Sequence, residues 1–257
     1  MTAPKLGWQA FLDLAQDLGC VGVEFRNDLK GPLFDGADPL LVGGAVKARG
    51  LRLLALAKVK MFNAWSDAKR AEAEALMKIA AAAGAEAVSL IPRNDGVATE
   101  RAESHKVTAL ALRELLPMLQ IYGLKAMVEA LGFEVSSLKY KDVLADAVGG
   151  HGTYFLVHDT FHHALACGGP IYPDLTGIVH VSGVKDAIYV NDMRDLHRVL
   201  VDGDDMLGNV AQIRALRAAG YAGPVSFEPF AASVHDLADP KPALAASMEF
   251  IRAGVVA

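Results

Sequence analysis

The sequence is poor in cysteine, and it lacks the long apolar runs and basic clusters that mark several classes of protein. Two cysteines in 257 residues cannot build a disulfide framework or a thiolate zinc site, so a reducing compartment is expected. No apolar run reaches membrane-spanning length without a charge or a glycine, and residues 1–8 do not resemble a signal peptide. The net charge of −5 disfavours binding to nucleic acid or to an anionic membrane. We therefore expect a soluble, cytoplasmic protein with neither partner.

Short apolar runs alternate with longer amphipathic ones along the whole chain. With 53% hydrophobic and 21% charged residues, the composition excludes disorder. Continuous apolar runs are typical of parallel strands covered on both faces. The strand candidates are Val21–Arg26, Leu51–Ala57, Ala85–Ile91, Leu124–Glu129, Thr153–His158, Gly177–Ser182 and Pro224–Glu228. Helices are predicted at Trp8–Leu18, Ala68–Ala83, Lys106–Tyr122 and Asn209–Ala219, and each is followed by a glycine suited to a left-handed C-cap.

This alternation predicts a single α/β domain over residues 1–257, with a parallel sheet that is either closed or open. Ionisable residues stand at the ends of several strands, and a closed (β/α)8 TIM barrel builds its site in that way. An open sheet needs such residues only beside its switch point, so the barrel is favoured. Only seven strands are found, and the first follows a helix. We expect strand 1 to be short or missing, either because the chain begins late or because the barrel is open there.

Four residues at separate strand ends form the candidate metal site: Glu129, Asp159, His180 and Glu228. Three carboxylates and one imidazole suit a single divalent cation, with Mn²⁺ expected first and Mg²⁺, Co²⁺ or Zn²⁺ also possible. Such a cation can hold a hydroxyl and the adjacent carbonyl oxygen of a sugar, and it can stabilise an enediolate. Glu129 and Glu228 are then the candidate catalytic residues, one taking the proton and the other returning it.

Each of these residues also has an ordinary structural explanation when taken alone. A strand-end carboxylate often caps the following helix, and a histidine in an apolar run is often a hydrogen-bonded core residue. Four such residues, each at the end of a different strand, are harder to explain in that way. The set therefore favours a metal site.

The sequence also resembles the xylose-isomerase-like barrel superfamily of sugar isomerases and epimerases. The resemblance covers nearly the whole chain, and its most telling segments are GCVGVEFR, VEALGF, FLVHDTFHHA, IVHVSG and VSFEPF. It implies a TIM barrel, and it places the four metal ligands on the residues named above. It further implies that His162 contacts substrate oxygens and that Arg198 binds substrate. The segment around Arg198 departs from the family pattern in spacing and lacks its Pro-Gly. The acidic partner that usually follows the histidine corresponding to His180 is either Asp186 or Asp195.

Further substrate-binding candidates are expected at the rim of the barrel. They are Glu24, Arg26, Trp65 and Asn94, together with the less specific Asn63, Asp95 and Glu134. Trp65 can close over the apolar face of a sugar ring or simply anchor its loop. Lys185 follows His180 at a position where a Schiff-base lysine is conceivable, but nothing in the sequence indicates the desolvation that such a lysine needs.

The predicted activity is isomerisation or epimerisation next to a carbonyl, on a sugar or keto-polyol. By resemblance, 2-keto-myo-inositol (inosose) is the favoured substrate, with inosose dehydratase and hydroxypyruvate isomerase as alternatives. A non-catalytic sugar-binding barrel also stays open, and so does a homodimer or homotetramer. An AP endonuclease on the same scaffold needs more metal ligands and a basic DNA-binding face, and the charge of −5 disfavours it.

Overall fold

The fold is a parallel sheet of seven strands, seen in a computed structural model that describes residues 2–97, 100–149 and 152–256. Neighbouring strands pair in chain order from β1 to β7, and every pair is parallel. The strands are β1 Gly22–Arg26, β2 Arg52–Lys60, β3 Ala87–Ile91, β4 Lys125–Glu129, β5 Tyr154–Asp159, β6 Thr176–Val181 and β7 Val225–Phe227. The predicted barrel architecture with a helical outer layer is thereby confirmed.

Helices occupy the connections between the strands and cover the outside of the sheet. They are α1 Trp8–Asp17, α2 Pro39–Ala48, α3 Asp67–Ala83, α4 Arg101–Tyr122, α5 Lys141–Val148, α6 Thr160–Leu165, α7 Asn209–Ala218, α8 Ala232–His235 and α9 Lys241–Val256. The predicted left-handed C-caps are present at Gly84 (φ 68°) and Gly123 (φ 65°). A residue with a Cβ is strained in this conformation, which explains why glycine ends both helices. Of the helices that the structure describes, none has the length and apolarity needed to cross a bilayer.

The two faces of the sheet carry different apolar clusters. The outer face packs against the helices, so residues such as Val88, Val128 and Leu156 share one large core with helical residues. The other face forms a separate cluster with no helical member: Leu54, Ala55, Ala87, Met127, Val157 and Ile178. Because strand side chains alternate between faces, this second cluster fills the barrel interior. It forms the floor beneath the candidate site.

The sheet curves almost into a closed barrel, and no pairing between β7 and β1 is found in the part of the chain that the structure describes. The hydroxyl of Thr2 donates to the carbonyl of Phe227, at the carboxyl end of β7 (2.8 Å). The first described residues therefore lie beside this opening, on the side of the candidate site. A cavity of about 700 Å³ extends along the opening.

Candidate metal centre and active site

Four buried side chains meet at the carboxyl ends of four consecutive strands. Glu129 ends β4, Asp159 ends β5, His180 is the fifth residue of β6 and Glu228 directly follows β7. One possible ligand atom from each lies within 4.8 Å of the other three. The four residues predicted from strand ends are thus brought together at one point.

The two-residue period of the strands explains this convergence. Glu129 follows Met127 on the same face of β4, and Asp159 follows Val157 on β5, and both preceding residues belong to the interior cluster. Asp159 is also directly opposite His180 in the β5–β6 register. The site is therefore the polar top layer of a barrel interior that is apolar below.

Arg198 holds two of the three carboxylates of the cluster together. Its Nη2 donates to Asp159 Oδ2 (2.7 Å) and to Glu228 Oε2 (3.0 Å), and its Nε donates to Ser182 Oγ (2.8 Å). The guanidinium also lies 4.8 Å from the ring centroids of Phe161 and Phe230. Only 1% of Arg198 is exposed. A buried guanidinium is stable only with such partners, because its desolvation is costly.

Of Asp186 and Asp195, the two possible acidic partners that follow His180 in the sequence, the structure places Asp195 beside Arg198. The Asp195 Oδ1 atom is 3.4 Å from Arg198 Nη1. The segment around Arg198 thus places this arginine in the site, although the segment departs from the family pattern.

A second arginine and a further carboxylate reach the cluster from β1. The Nη1 of Arg26 donates to Glu228 Oε1 (2.6 Å), while its Nε pairs with Asp28 Oδ1 (2.9 Å). The Oε2 of Glu24 lies 3.2 Å from Nε2 of His180. Glu24 and Arg26, both predicted at the rim, are therefore direct neighbours of the four residues.

The carboxylates of the cluster have very different proton affinities. Burial, together with the adjacent Glu228 and Asp159 carboxylates, raises the pKa of Glu129 to about 8. Burial acts in the same direction on Glu228, but His180 and Arg198 hold its pKa well below the ordinary value. Burial disfavours a charged His180, yet Glu24 and Glu228 hold the pKa of its ring well above the usual range. With no cation bound, Glu129 and His180 are therefore protonated at neutral pH while Glu228 is ionised.

Two buried atoms of the cluster, Glu129 Oε1 and His180 Nδ1, have no hydrogen-bond partner among the residues that the structure describes. The imidazole atom lies 3.3 Å from Glu228 Oε2, but in a direction that makes no hydrogen bond. Unpaired buried polar atoms are costly and call for a partner. Ligand atoms about 2.1 Å from a shared ion are at most about 4.2 Å apart, so only a small contraction is needed. The donor set therefore fits a divalent cation, which would replace the protons on Glu129 and His180.

His162 lies beside the cluster with a fixed tautomer. Its backbone N–H donates to Asp159 Oδ1 (3.0 Å), and its Nδ1 accepts from the backbone N–H of Gly132 (3.2 Å). The ring proton is therefore on Nε2, which is left as a donor. A Cβ on Gly132 would overlap the carbonyl oxygen of His162, so glycine is what allows this close approach. This role of Gly132 was not predicted from the sequence.

The cavity along the barrel opening includes the cluster at one end. Glu24, Arg26, Glu129, His180 and Glu228 line that end, and the remainder is lined mainly by apolar side chains together with some charged ones, among them Arg52, Arg217 and Arg252. A volume of about 700 Å³ is within the usual range for sites that bind small molecules, about 300–1,000 Å³.

Several predicted rim residues are not brought to the cluster. Asn94 is exposed, and Trp65 packs against the helix-facing core with the Arg70 guanidinium 5.5 Å from its ring. Neither lines the cavity. Asn63 is buried in a structural role, donating to Ser137 Oγ (2.9 Å) and accepting from the Arg93 N–H (2.8 Å).

The other three secondary candidates form ion pairs away from the cluster. Asp95 pairs with Arg93 (2.7 Å), Glu134 with Lys139 and Lys185 with Asp202. These residues are better explained as parts of the protein surface.

Comparison with known proteins places this geometry in a family. The sequence model of the xylose isomerase-like TIM barrel matches residues 12–254. The chain belongs to this family. A search of curated proteins returns no match.

Solved structures of this family superpose on nearly the whole chain. A xylose isomerase domain-containing protein from Salmonella typhimurium LT2 is 28% identical, with a TM-score of 0.86 over 99% of this chain and 93% of that one. The IolI protein, solved with a bound zinc atom, is 20% identical with a TM-score of 0.86, covering 96% and 92%. D-allulose 3-epimerase from Methylomonas sp., solved with D-allulose, is 18% identical with a TM-score of 0.71, covering 98% and 92%. The two less similar structures are evidence of a shared fold.

Proposed function

We propose that this protein is a metal-dependent sugar isomerase or epimerase that moves a proton next to a carbonyl group. The observation that carries the proposal is the convergence of Glu129, Asp159, His180 and Glu228, two of which have buried atoms without a partner. One divalent cation is proposed there, with Mn²⁺ first because three of the four ligands are carboxylates. When bound, the cation would polarise a substrate carbonyl and stabilise negative charge on its oxygen.

The two glutamates are proposed as the groups that move the proton. Their environments push their pKa values apart, since His180, Arg198 and Arg26 hold Glu228 ionised, whereas burial and the neighbouring Glu228 and Asp159 carboxylates raise the pKa of Glu129. Pairs of carboxyl groups separated in this way are typical of acid–base catalysis. Glu228 is suited to accept a proton from carbon and Glu129 to return one. Arg26 and Arg198 would keep Glu228 in position during the transfer.

The substrate is proposed to be a sugar or keto-polyol, with inosose as the first candidate. The Nε2–H of His162 is a donor for a substrate hydroxyl or carbonyl oxygen, and Glu24 offers an acceptor on the opposite side of His180. The cavity has room for a six-carbon ring. Solved structures with this fold include IolI and D-allulose 3-epimerase, which also supports a keto-sugar substrate.

A second metal cluster, as an AP endonuclease of this barrel type would need, is not supported. Among the described residues, Glu129, Asp159, His180 and Glu228 are the one group able to hold a cation. We therefore propose a single-cation site and no nucleic-acid substrate.

Hydrogen exchange tests the proposed reaction without knowledge of the product. The protein, loaded with Mn²⁺, is incubated in D₂O with inosose, D-allulose or hydroxypyruvate, and loss of the proton next to the carbonyl is followed by NMR. We expect exchange with at least one of these compounds. Glu228→Gln should slow it by about 100-fold or more, the usual contribution of a general base.

Glu134→Gln is the matched control, because Glu134 is an exposed carboxylate paired with Lys139 outside the cluster. It should exchange as fast as the wild type. Absence of exchange with every compound, in protein shown to contain the cation, would contradict the proposed function. Formation of an unsaturated ketone instead would identify a dehydratase.

A further inference from the structure

A buried lysine lies close to the proposed active site and has no part in it. Lys141, the first residue of α5, is 9% exposed. Among the described residues, no carboxylate lies within ion-pair distance of its Nζ. The polar partners of this atom are instead two imidazoles, His158 Nδ1 at 2.9 Å and His163 Nδ1 at 3.3 Å. Lysine is rarely buried without a carboxylate, since desolvating an ammonium group is costly.

Hydrogen bonds fix the direction of the first of these contacts. The Nε2 of Gln212 donates to the carbonyls of Thr160 and Leu207 (3.2 and 3.0 Å), so its Oε1 is an acceptor. That oxygen lies 2.9 Å from His158 Nε2, which must therefore carry the ring proton. His158 Nδ1 is then an acceptor and receives a hydrogen from Lys141.

The contact with His163 provides a second hydrogen-bond partner for the amine. If His163 Nδ1 accepts in the same way, both hydrogens of an uncharged Lys141 amine are used and its lone pair is left over. Burial lowers the pKa of Lys141 to about 7, although the more distant Asp159 and Glu129 act to raise it. Burial, with Lys141 beside it, also lowers the pKa of His163 to about 4. Both groups are then largely uncharged at slightly alkaline pH.

A small cavity lies beside Lys141 and His163. It has a volume of about 120 Å³ and is lined by Lys141 and His163, with Ala130 and His162 on the side of the proposed active site. A cavity of about 150 Å³ admits benzene, so this one has room for a molecule of two to four carbons. The other cations in its lining, Arg101 and Lys139, are each paired with a carboxylate. The cavity therefore has no excess positive charge and suits an uncharged ligand.

We propose that Lys141 is a second reactive centre, whose amine forms an imine with a small, uncharged hydroxyaldehyde or hydroxyketone bound in this cavity. The lone pair of Nζ attacks the carbonyl carbon, and the carbonyl oxygen takes a proton to give a carbinolamine. The two amine hydrogens and the carbonyl oxygen then leave as one water molecule, and a C=N bond remains. His163 Nδ1, which borders the cavity, is placed to relay a proton during these steps.

Reductive trapping tests the proposal directly. The purified full-length protein is treated at pH 7.5 with dihydroxyacetone and sodium cyanoborohydride, and modified lysines are located and timed by peptide mass mapping. Lys141 should react at least about tenfold faster than Lys139, because an uncharged amine is the nucleophile and the ion pair with Glu134 keeps Lys139 charged. Urea-unfolded protein should show no such preference, since burial is then lost.

Two variants serve as controls. Lys141→Met should remove the fast reaction, and Lys185→Met, which replaces a lysine paired with Asp202 outside this cavity, should leave it unchanged. Equal rates at Lys139 and Lys141 in the folded wild type, or no adduct on Lys141, would overturn the proposal. The trapping needs neither a bound cation nor isomerase activity, so its outcome is independent of the proposed function.

Discussion

Replacing Lys141 by methionine should remove a pH-dependent part of the free energy of unfolding. In the folded protein burial lowers the pKa of Lys141 from 10.5 to about 7. Between these values the unfolded chain binds a proton that the folded chain does not. Stability therefore rises with pH across this window, by about 5 kcal/mol in all and by at most about 1.4 kcal/mol per pH unit. This contribution to stability is fully present above pH 10.5 and is lost as the pH falls towards 7.

The assay is urea unfolding of the wild type and Lys141→Met at pH 7, 8 and 9. Taking the difference between the two proteins cancels the titration of groups that they share. From pH 7 to pH 9 the wild type should gain about 2 kcal/mol relative to the variant. Lys106→Met, which replaces a side chain that is 79% exposed, should follow the wild type. Parallel pH profiles for the wild type and Lys141→Met would refute the reasoning, because they would mean that the buried lysine keeps its proton.

Four further variants test packing between helices and packing and charge at the site. Gly43→Ala should destabilise the protein by about 1–3 kcal/mol in urea unfolding, because its Cβ would overlap a backbone carbonyl of α3. Gly44→Ala has open space around its Cβ and should stabilise the protein by about 0.5–1 kcal/mol. Equal effects of the two substitutions would show that this packing of α2 against α3 is wrong. Gly132→Ala should lower the thermal melting temperature, since it displaces the backbone at His162; an unchanged melting curve would contradict that contact. In EDTA, Arg198→Met should lower the free energy of unfolding by about 3–5 kcal/mol, because it leaves buried carboxylates unpaired. Adding Mn²⁺ should stabilise this variant more than it stabilises the wild type. Equal stabilisation of the two proteins would contradict the idea that Arg198 and the cation balance the charge of the same carboxylates.

Much of the fold follows from local patterns in the sequence. Apolar runs between helix-ending glycines mark the strands, and all seven predicted strands are present with small shifts at their ends. The clearest differences are that β2 continues to Lys60 and that α4 begins at Arg101. The helices α2, α5, α6, α8 and α9 were not predicted. Gly43 and Gly44 interrupt the first of them, and helical stability in a barrel depends on packing against the sheet more than on propensity.

The candidate site was predictable where it depends on strand ends, and less so where it depends on loops. Parallel strands carry their last inward residue to the same rim, so Glu129 and Asp159 had to be neighbours. Trp65 and Asn94 follow strands too, but loop conformation decides their direction, and the sequence does not encode it in a readable pattern. The position of Arg198 was in doubt for the same reason, and tertiary contacts alone show that it bridges two carboxylates.

Lys141 was not singled out from the sequence. A lysine at the start of a helix is ordinarily a surface residue. Its burial results from α5 packing against β5, which brings it to His158. Only long-range structure distinguishes it from Lys185, which pairs with Asp202 at the surface.

The central claim is that the four-residue cluster binds one divalent cation, and metal content tests it most directly. Purified wild type, Glu129→Gln and Glu134→Gln are incubated with Mn²⁺, desalted and measured by elemental mass spectrometry. Glutamine resembles the protonated Glu129 expected without a cation, so the first variant should fold while lacking a charged ligand. We predict about one cation per chain in the wild type and in Glu134→Gln, and almost none in Glu129→Gln. Equal metal content in all three proteins, or none in the wild type, would contradict the account.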